Sequence, residues 1–224
     1  MFGLNSVTLS NTAGGGAPTK PGVIGDVGIG GGSGTLEKTT VFGKVFVDSS
    51  AHPDIHSDFH ATGGIFFNQN LSQDKADALA RSASLAGLPC TQTFGDITAN
   101  KTITSTGPVN VICVNSINLV KSAITLVGSA TDTFVINVTS PTAGFTLSTS
   151  QILLSGGLTS DHVIFNFPGT GGRLNVFKLT TVMNGTLLAP QRDIVIDNPP
   201  VNGSVVGSTV YIHSGAKVTG CQCP

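Results

Sequence analysis

The chain has no tryptophan, a single glutamate (Glu37) and few charges of either sign. Charged residues make up 10% of its 224 positions, against roughly 25% in typical globular proteins. The formal net charge is −1, and no Lys/Arg cluster exists to meet a phosphate backbone, which argues against nucleic acid as a partner. No run of 18 apolar residues is present, so no transmembrane helix is expected. The opening "MFGLN" lacks the basic and apolar regions of a secretory signal. That leaves a secreted protein whose signal has been removed, or a cytosolic one. Neither G-x-S-x-G, H-E-x-x-H nor a P-loop occurs, and no C-x-x-C pair suggests zinc. The expectation is a non-enzymatic protein without a cofactor.

The residues that are abundant describe a β protein. Twenty-nine glycines, with many Val, Thr, Ile, Ser and Asn, suit short pleated strands and tight turns. The length fits one domain spanning 1–224. Four cysteines, Cys90, Cys113, Cys221 and Cys223, allow three pairings. Cys90 and Cys113 each lie beside an apparent strand, which favours a bridge between them. The "CQC" tail could clasp the terminus, hold a second chain or carry two free thiols. Disulfide usage, with five N-x-S/T sequons, points to an extracellular or cell-surface location.

A short unit recurs. Gly-x-apolar-x-apolar begins at Gly25 and Gly43, with a variant at Gly64, and again at Gly185 and Gly203; the steps are 18, 21 and 18 residues. "DIVID" and "TVYIH" lie 16 apart. Strands of four to six residues at such a period suit a β-solenoid, in which stacked coils together enclose a core that no coil could bury alone. Between 95 and 178 the spacing is irregular and also fits a β-sandwich; the regular ends favour the solenoid. One helix interrupts it, over about 72–87. Ser72 can cap it, Asp74 and Asp77 suit its first turns, and Gly87 with Pro89 ends it. Leu71, Ala78, Leu79, Ser82, Leu85 and Ala86 form a stripe suited to lying on a sheet. "GIGGGSG" (28–34) has no P-loop spacing and reads as a flexible turn, and a flexible tail is expected over about 219–224.

"HVIFNFPGTGGRLNV" followed by "NGTLLAPQRDIVIDNPPVNGSVVGSTVYIHSGAKV" resembles the carboxyl half of choice-of-anchor A domains of microbial surface proteins. The features that match are "NFP" (166–168), "GTLLAP" (185–190) and "GSVVGS" (203–208). The layout is also similar to the microbial ice-binding β-solenoid family, with Gly-rich early coils, a long helix, "LPC" and strands such as "FVINV". The resemblance implies an all-β, irregular right-handed β-solenoid with one α-helix packed alongside, secreted or displayed on a cell. The ice-binding family needs a flat, mildly apolar face rich in threonine. Here the Thr-x-Thr pairs Thr91/Thr93, Thr102/Thr104 and Thr131/Thr133 are candidates, although they do not recur at one offset.

Two clusters could carry chemistry. Strand alternation puts Asp193 and Asp197, next to Arg192, on one side, with Ile194 and Ile196 on the other. Their separation of about 13 Å along a strand exceeds the roughly 5–9.5 Å of paired-carboxylate glycosidases. Turn capping is the simpler role. "HPDIHSDFH" (52–60) as a helix would align His52, His56 and His60 for a metal. As a strand it turns those histidines with Asp54 and Asp58 to one side, and Ile55 and Phe59 to the core. The row could then bind a divalent metal, gain charge as pH falls, or protect a strand edge. The functional expectation is a secreted or cell-surface module for adhesion, matrix formation or self-assembly, with itself, surface proteins or glycans as partners. Ice binding is the alternative, and a polysaccharide-active enzyme is less favoured.

Overall fold

The computed structural model describes residues 1–12, 22–140, 145–178 and 180–220. Every strand pairing in it is parallel, in one large sheet and two smaller ones, which rules out the sandwich and leaves the solenoid. A typical coil has three short strands, such as Thr186–Ala189, Ile194–Asp197 and Pro200–Asn202. These define faces 1, 2 and 3. Alternation sends Leu187, Ile194, Ile196 and Val201 inward, all fully buried. Phenylalanines fill the wider part of the core: Phe145 lies 5.1 Å from Phe167 and 6.0 Å from Phe165, centroid to centroid.

The coils are not stacked in chain order. On face 1 the sheet runs Gln92–Ile97, Val109–Val120, Thr133–Val138, Val163–Asn166, Thr186–Ala189, Val205–His213, Phe2–Ser10, Val27–Ile29, Val45–Asp48, Ile65–Gln69. The chain therefore starts in the middle, builds out to one end, and is carried back to the other end by the helix Ser72–Ala86. It then fills the remaining coils until Val205–His213 meets Phe2–Ser10.

The glycine repeat marks the corner from face 3 to face 1. Gly185 and Gly203 have φ of +120° and +147°, and a Cβ on Gly203 would stand 2.2 Å from the Gly185 carbonyl oxygen. Only glycine allows both the left-handed backbone and the stacking of one corner on the next. "GIGGGSG" differs from the flexible turn expected of it. Gly30 and Gly31 are buried, and Cβ atoms on Gly30 and Gly34 would lie 2.5 and 2.0 Å from the carbonyl oxygens of Leu4 and Val7. The run is a corner pressed against its neighbour.

The helix lies on face 1 through a narrower contact than its stripe suggests. Only Ser82 and Leu85 are buried, and Leu79 is 40% exposed. Leu85 packs with Val135 and Leu188. An asparagine ladder fixes the rest: the Asn166 amide donates to Asn137 Oδ1 (2.8 Å) and to Ser82 O (3.0 Å). Ser82 Oγ donates back to Asn166 Oδ1 (2.6 Å), and Asn137 Nδ2 donates to Leu85 O (2.8 Å). Each buried amide is thereby satisfied. Ser72 does not cap the helix. Asn70 Oδ1 accepts from Ser72 N and Oγ, while Asp48 Oδ2 accepts from Leu71 N at 2.9 Å. The disulfide Cys90–Cys113 joins the helix exit to face 1. Lys217–Thr219 is a strand; most of the tail expected over about 219–224, with Cys221 and Cys223, falls outside the described residues.

Candidate functional site

Face 1 carries the helix, whereas faces 2 and 3 lie open among the described residues. A depression of about 530 Å³ lies where the first helical turn stands off face 1, between Phe2, Phe46, Leu71 and Val206. Asp26, Asp74 and Ser204 are the acidic and hydroxyl groups of its lining. On faces 2 and 3 the parallel register stacks side chains in columns.

The three-stranded part of face 3 is uncharged across both outward columns. Thr102 aligns with Thr125 and Leu153, and Thr104 with Val127 and Ser155, while Ile103, Leu126 and Ile152 fill the core beneath. Neighbours across the strands are about 4.8 Å apart, and those along a strand about 6.7 Å. The result is a small lattice of hydroxyl and methyl groups. Those columns carry no charged side chain.

Face 2 changes character along the axis. Near the residue-92 end its outward side chains are Asn118, Val120, Thr146 and Ser148. Toward the other end one column reads Phe177, Asp197, His213, Ser10, Glu37, continued by His56, whose Nδ1 lies 3.6 Å from Glu37 Oε2. Beside it stand Asn175, Val195, Tyr211 and Thr8. Arg173 is 3.8 Å from Asp193 and lies over the Tyr211 ring at 5.6 Å. Tyr211 and His213 run nearly parallel at 6.0 Å.

The proposed sequence clusters are redistributed. "HPDIHSDFH" is not one strand: Asp54–Ile55 and His60–Ala61 are separate two-residue strands on faces 2 and 3. Between them Ser57–Asp58 turns the corner, and Asp58 Oδ1 accepts from Lys38 N at 3.0 Å. Ile55 and Phe59 do face the core. His52, His56 and His60 are thereby distributed around the coil, and among the described residues no three His, Cys, Asp or Glu side chains come together as metal donors. His56 instead meets Asp54 (3.2 Å) and Glu37. Asp193 and Asp197 share the outward side, as alternation requires, but Arg192 leaves the cluster. It is 1% exposed, and its guanidinium donates to the carbonyls of Pro168 (3.0 Å), Gly169 and Ser140 (both 3.2 Å); burial draws its pKa down. "NFP" and "APQRD" are therefore folding signals: Asn166 holds the helix, Phe167 fills the core, and Pro168 receives Arg192.

Of the threonine pairs, only Thr102/Thr104 lies in the neutral patch. Thr91 closes the first coil, its hydroxyl bonding with both N and O of Val111 at 3.1 Å. Thr93 aligns with Cys113 and Thr133 with Val109, both on face 1, and Thr131 meets Ser129 in a turn. Thr125, Val127, Leu153 and Ser155 were not singled out by sequence. Their signal is the alternation of "AITLV" and "QILLS", but coil steps of unequal length hide the register that unites them.

The fold is a discontinuous parallel solenoid with a helical strut along one face. The chain belongs to the Ice-binding-like adhesive domain family, whose model matches residues 3–219. Solved structures share its fold. One is the ice-binding protein of the Antarctic ascomycete Antarctomyces psychrotrophicus, with TM-score 0.64 and 18% identity over 93% of this chain and 98% of that one. Another is an ice-binding protein from an Arctic yeast, with TM-score 0.63 and 17% identity over 95% and 96%. The Shewanella frigidimarina ice-binding protein domain superposes with TM-score 0.57 at 14% identity, over 95% and 98%. No curated protein sequence matches the chain.

Proposed function

We propose that the chain is an extracellular adhesive module that binds ice through the neutral patch of face 3. The observation that carries this reading is the registered, uncharged array Thr102/Thr104, Thr125/Val127 and Leu153/Ser155. Ice offers a repeating array of hydroxyl-like groups and no charge. A rigid surface of matching chemistry gains by sharing ordered water with it, whereas a charged side chain keeps its own hydration and disrupts the match. Family membership and the ice-binding proteins that share the fold support the same reading, and the Cys90–Cys113 disulfide suits an oxidising exterior. Among the described residues no helix is long and apolar enough to cross a membrane.

The test is ice-crystal shaping and thermal hysteresis of the wild-type chain and of Thr125→Arg. The wild type is expected to facet ice crystals, and the arginine, placed at the centre of the patch, to abolish faceting while the far-UV spectrum is unchanged. Unshaped wild-type crystals at high concentration would remove the ice reading. Shaping that survives Thr125→Arg would move the contact to another face.

A further inference from the structure

We propose that the groove where the helix stands off face 1 is the seat of this chain's own last residues, Cys221 to Pro224, which there clasp the first and last coils together. Corner hydrogen bonds fix where that segment leaves the body. The glycines between faces 3 and 1 form one unbroken column. Gly185 N donates to Asn202 O, Gly203 N to Thr219 O, Gly220 N to Ile24 O and Gly25 N to Phe42 O, at 2.8–2.9 Å. Gly220 is thus the corner between Gly203 and Gly25. The residue two past a corner makes a second recurrent bond: Leu187 N donates to Ser204 O and Val27 N to Lys44 O. Met1 makes the same bond, its nitrogen donating to Asp26 O at 2.8 Å, and Phe2 pairs with both Val206 and Gly28. Met1 therefore stands two positions past Gly220 in one coil. The place of a single residue separates them, and Cys221 is the residue that follows Gly220.

The neighbours of that place in the register, Ser204 and Asp26, both line the groove. Beyond it the strand slot is taken by Met1, Phe2 and Gly3, and the inward side is closed by the fully buried Val27 and Val205. The chain is left one course, outward over face 1. Two strands on, about 10 Å away, Phe46 forms the far wall beneath Leu71 and Asp74 at the start of the helix. Four extended residues reach at most about 14 Å, enough to cross the groove. Their chemistry suits its walls. Cysteine is among the most often buried residue types, and proline adds an apolar ring with no N–H to satisfy. The walls are the apolar side chains of Phe2, Phe46, Leu71 and Val206. This seat is on face 1 and the neutral patch on face 3, so the proposal does not depend on the ice reading.

Cys90 and Cys113 are bonded to each other, so the last residues carry the two remaining cysteines of the chain, and a thiol added in the groove can report on them. The test uses the full chain with Asp74→Cys, on the far side of the groove. Ala76→Cys, exposed and about 200° around the same helix, is the control. Each variant is equilibrated in a glutathione redox buffer, digested and mapped by mass spectrometry. Asp74→Cys is expected to link to the 218–224 peptide of its own chain about tenfold more than Ala76→Cys does, because a seated segment holds its thiols at a high effective concentration. Adding Val206→Arg, which fills the groove from the sheet side, should bring that linkage down to the control level. Equal linkage at positions 74 and 76, or none at either, overturns the proposal whether or not the arginine variant folds. So does a link found only between two chains, or one that a folded Val206→Arg variant retains in full.

Discussion

The two ends of the solenoid solve one problem in opposite ways. Each exposes the edge of a parallel sheet, and such an edge is a template for unwanted pairing. At the residue-92 end the terminal coil is clamped and nearly neutral. Cys90 is bonded to Cys113, Lys101 Nζ sits 4.2 Å from the Phe94 ring centroid, and Gln92 donates to Thr104 O. At the residue-69 end the terminal strand Ile65–Gln69 leaves Phe66 and Phe67 41% and 52% exposed. Protection there comes from a register shift between Phe46 and Asp48 and from the charges of Asp54 and Asp58 in the adjoining coil. A clamp leaves the neighbouring face free of charge, and the neutral patch lies beside it. Protection by charge leaves a polar face, and the face 2 column lies there.

Opening the clamp is the largest predicted perturbation. Cys113→Ser frees a loop of 23 residues' separation, and the lost constraint on the unfolded chain is worth roughly 3 kcal/mol. Chemical denaturation should record that loss. Hydrogen exchange should locate it in the strands 92–104, with the 27–48 strands still protected.

At the opposite end the corresponding anchor is electrostatic. Asp48 accepts from Ser50 Oγ (2.6 Å), Ser50 N (3.0 Å) and Leu71 N (2.9 Å), with Lys75 Nζ at 3.9 Å. The Ser50 hydroxyl first, then the two backbone N–H groups and Lys75, lower its pKa to about 2 from an ordinary 3.8. A carboxylate whose folded pKa is depressed stabilises the fold fully above the unfolded value, and that contribution is lost as pH falls from about 4 toward 2. Asp48→Asn should therefore cost about 2 kcal/mol at pH 7, with the gap from wild type narrowing across that acid window. Thermal melts at pH 7, 4 and 2.5 would check both the size and the sign. A gap independent of pH would show that shape rather than charge anchors the helix.

Sequence carried the architecture where coils are regular. The glycine steps from Gly25 to Gly43 and from Gly185 to Gly203 correspond to adjacent coils, with Val27 beside Val45 and Leu187 beside Val205. The middle was less legible because turns of unequal length enter at the corners. Thr102 and Thr125 are 23 residues apart and Thr125 and Leu153 are 28, yet they are neighbours. The histidine stretch misled for a related reason: its corner is made by Ser57 and Asp58 without glycine or proline, so alternation read straight through it. The helix cap was hidden by distance, since Asp48 precedes Leu71 by 23 positions. Local patterns reveal which residues face inward. Which outward residues share a face depends on coil register, and that is a non-local property.

The finest test of the contrast between the ends uses two lysines. Lys101 lies 4.2 Å from the Phe94 centroid, over a ring packed against the core, while Lys44 lies 5.9 Å from the more exposed Phe66. Attraction between an ammonium and a ring quadrupole weakens with distance and with hydration. Lys101→Ala should thus cost about 0.5–1 kcal/mol, because it removes both the attraction and the methylene cover over Phe94. Lys44→Ala should fall within the few tenths of a kcal/mol usual for surface changes. Denaturant midpoints of the two variants against wild type would measure the difference. Equal losses would mean that the ends are capped alike, and that the neutral character of the residue-92 end has a cause other than its clamp.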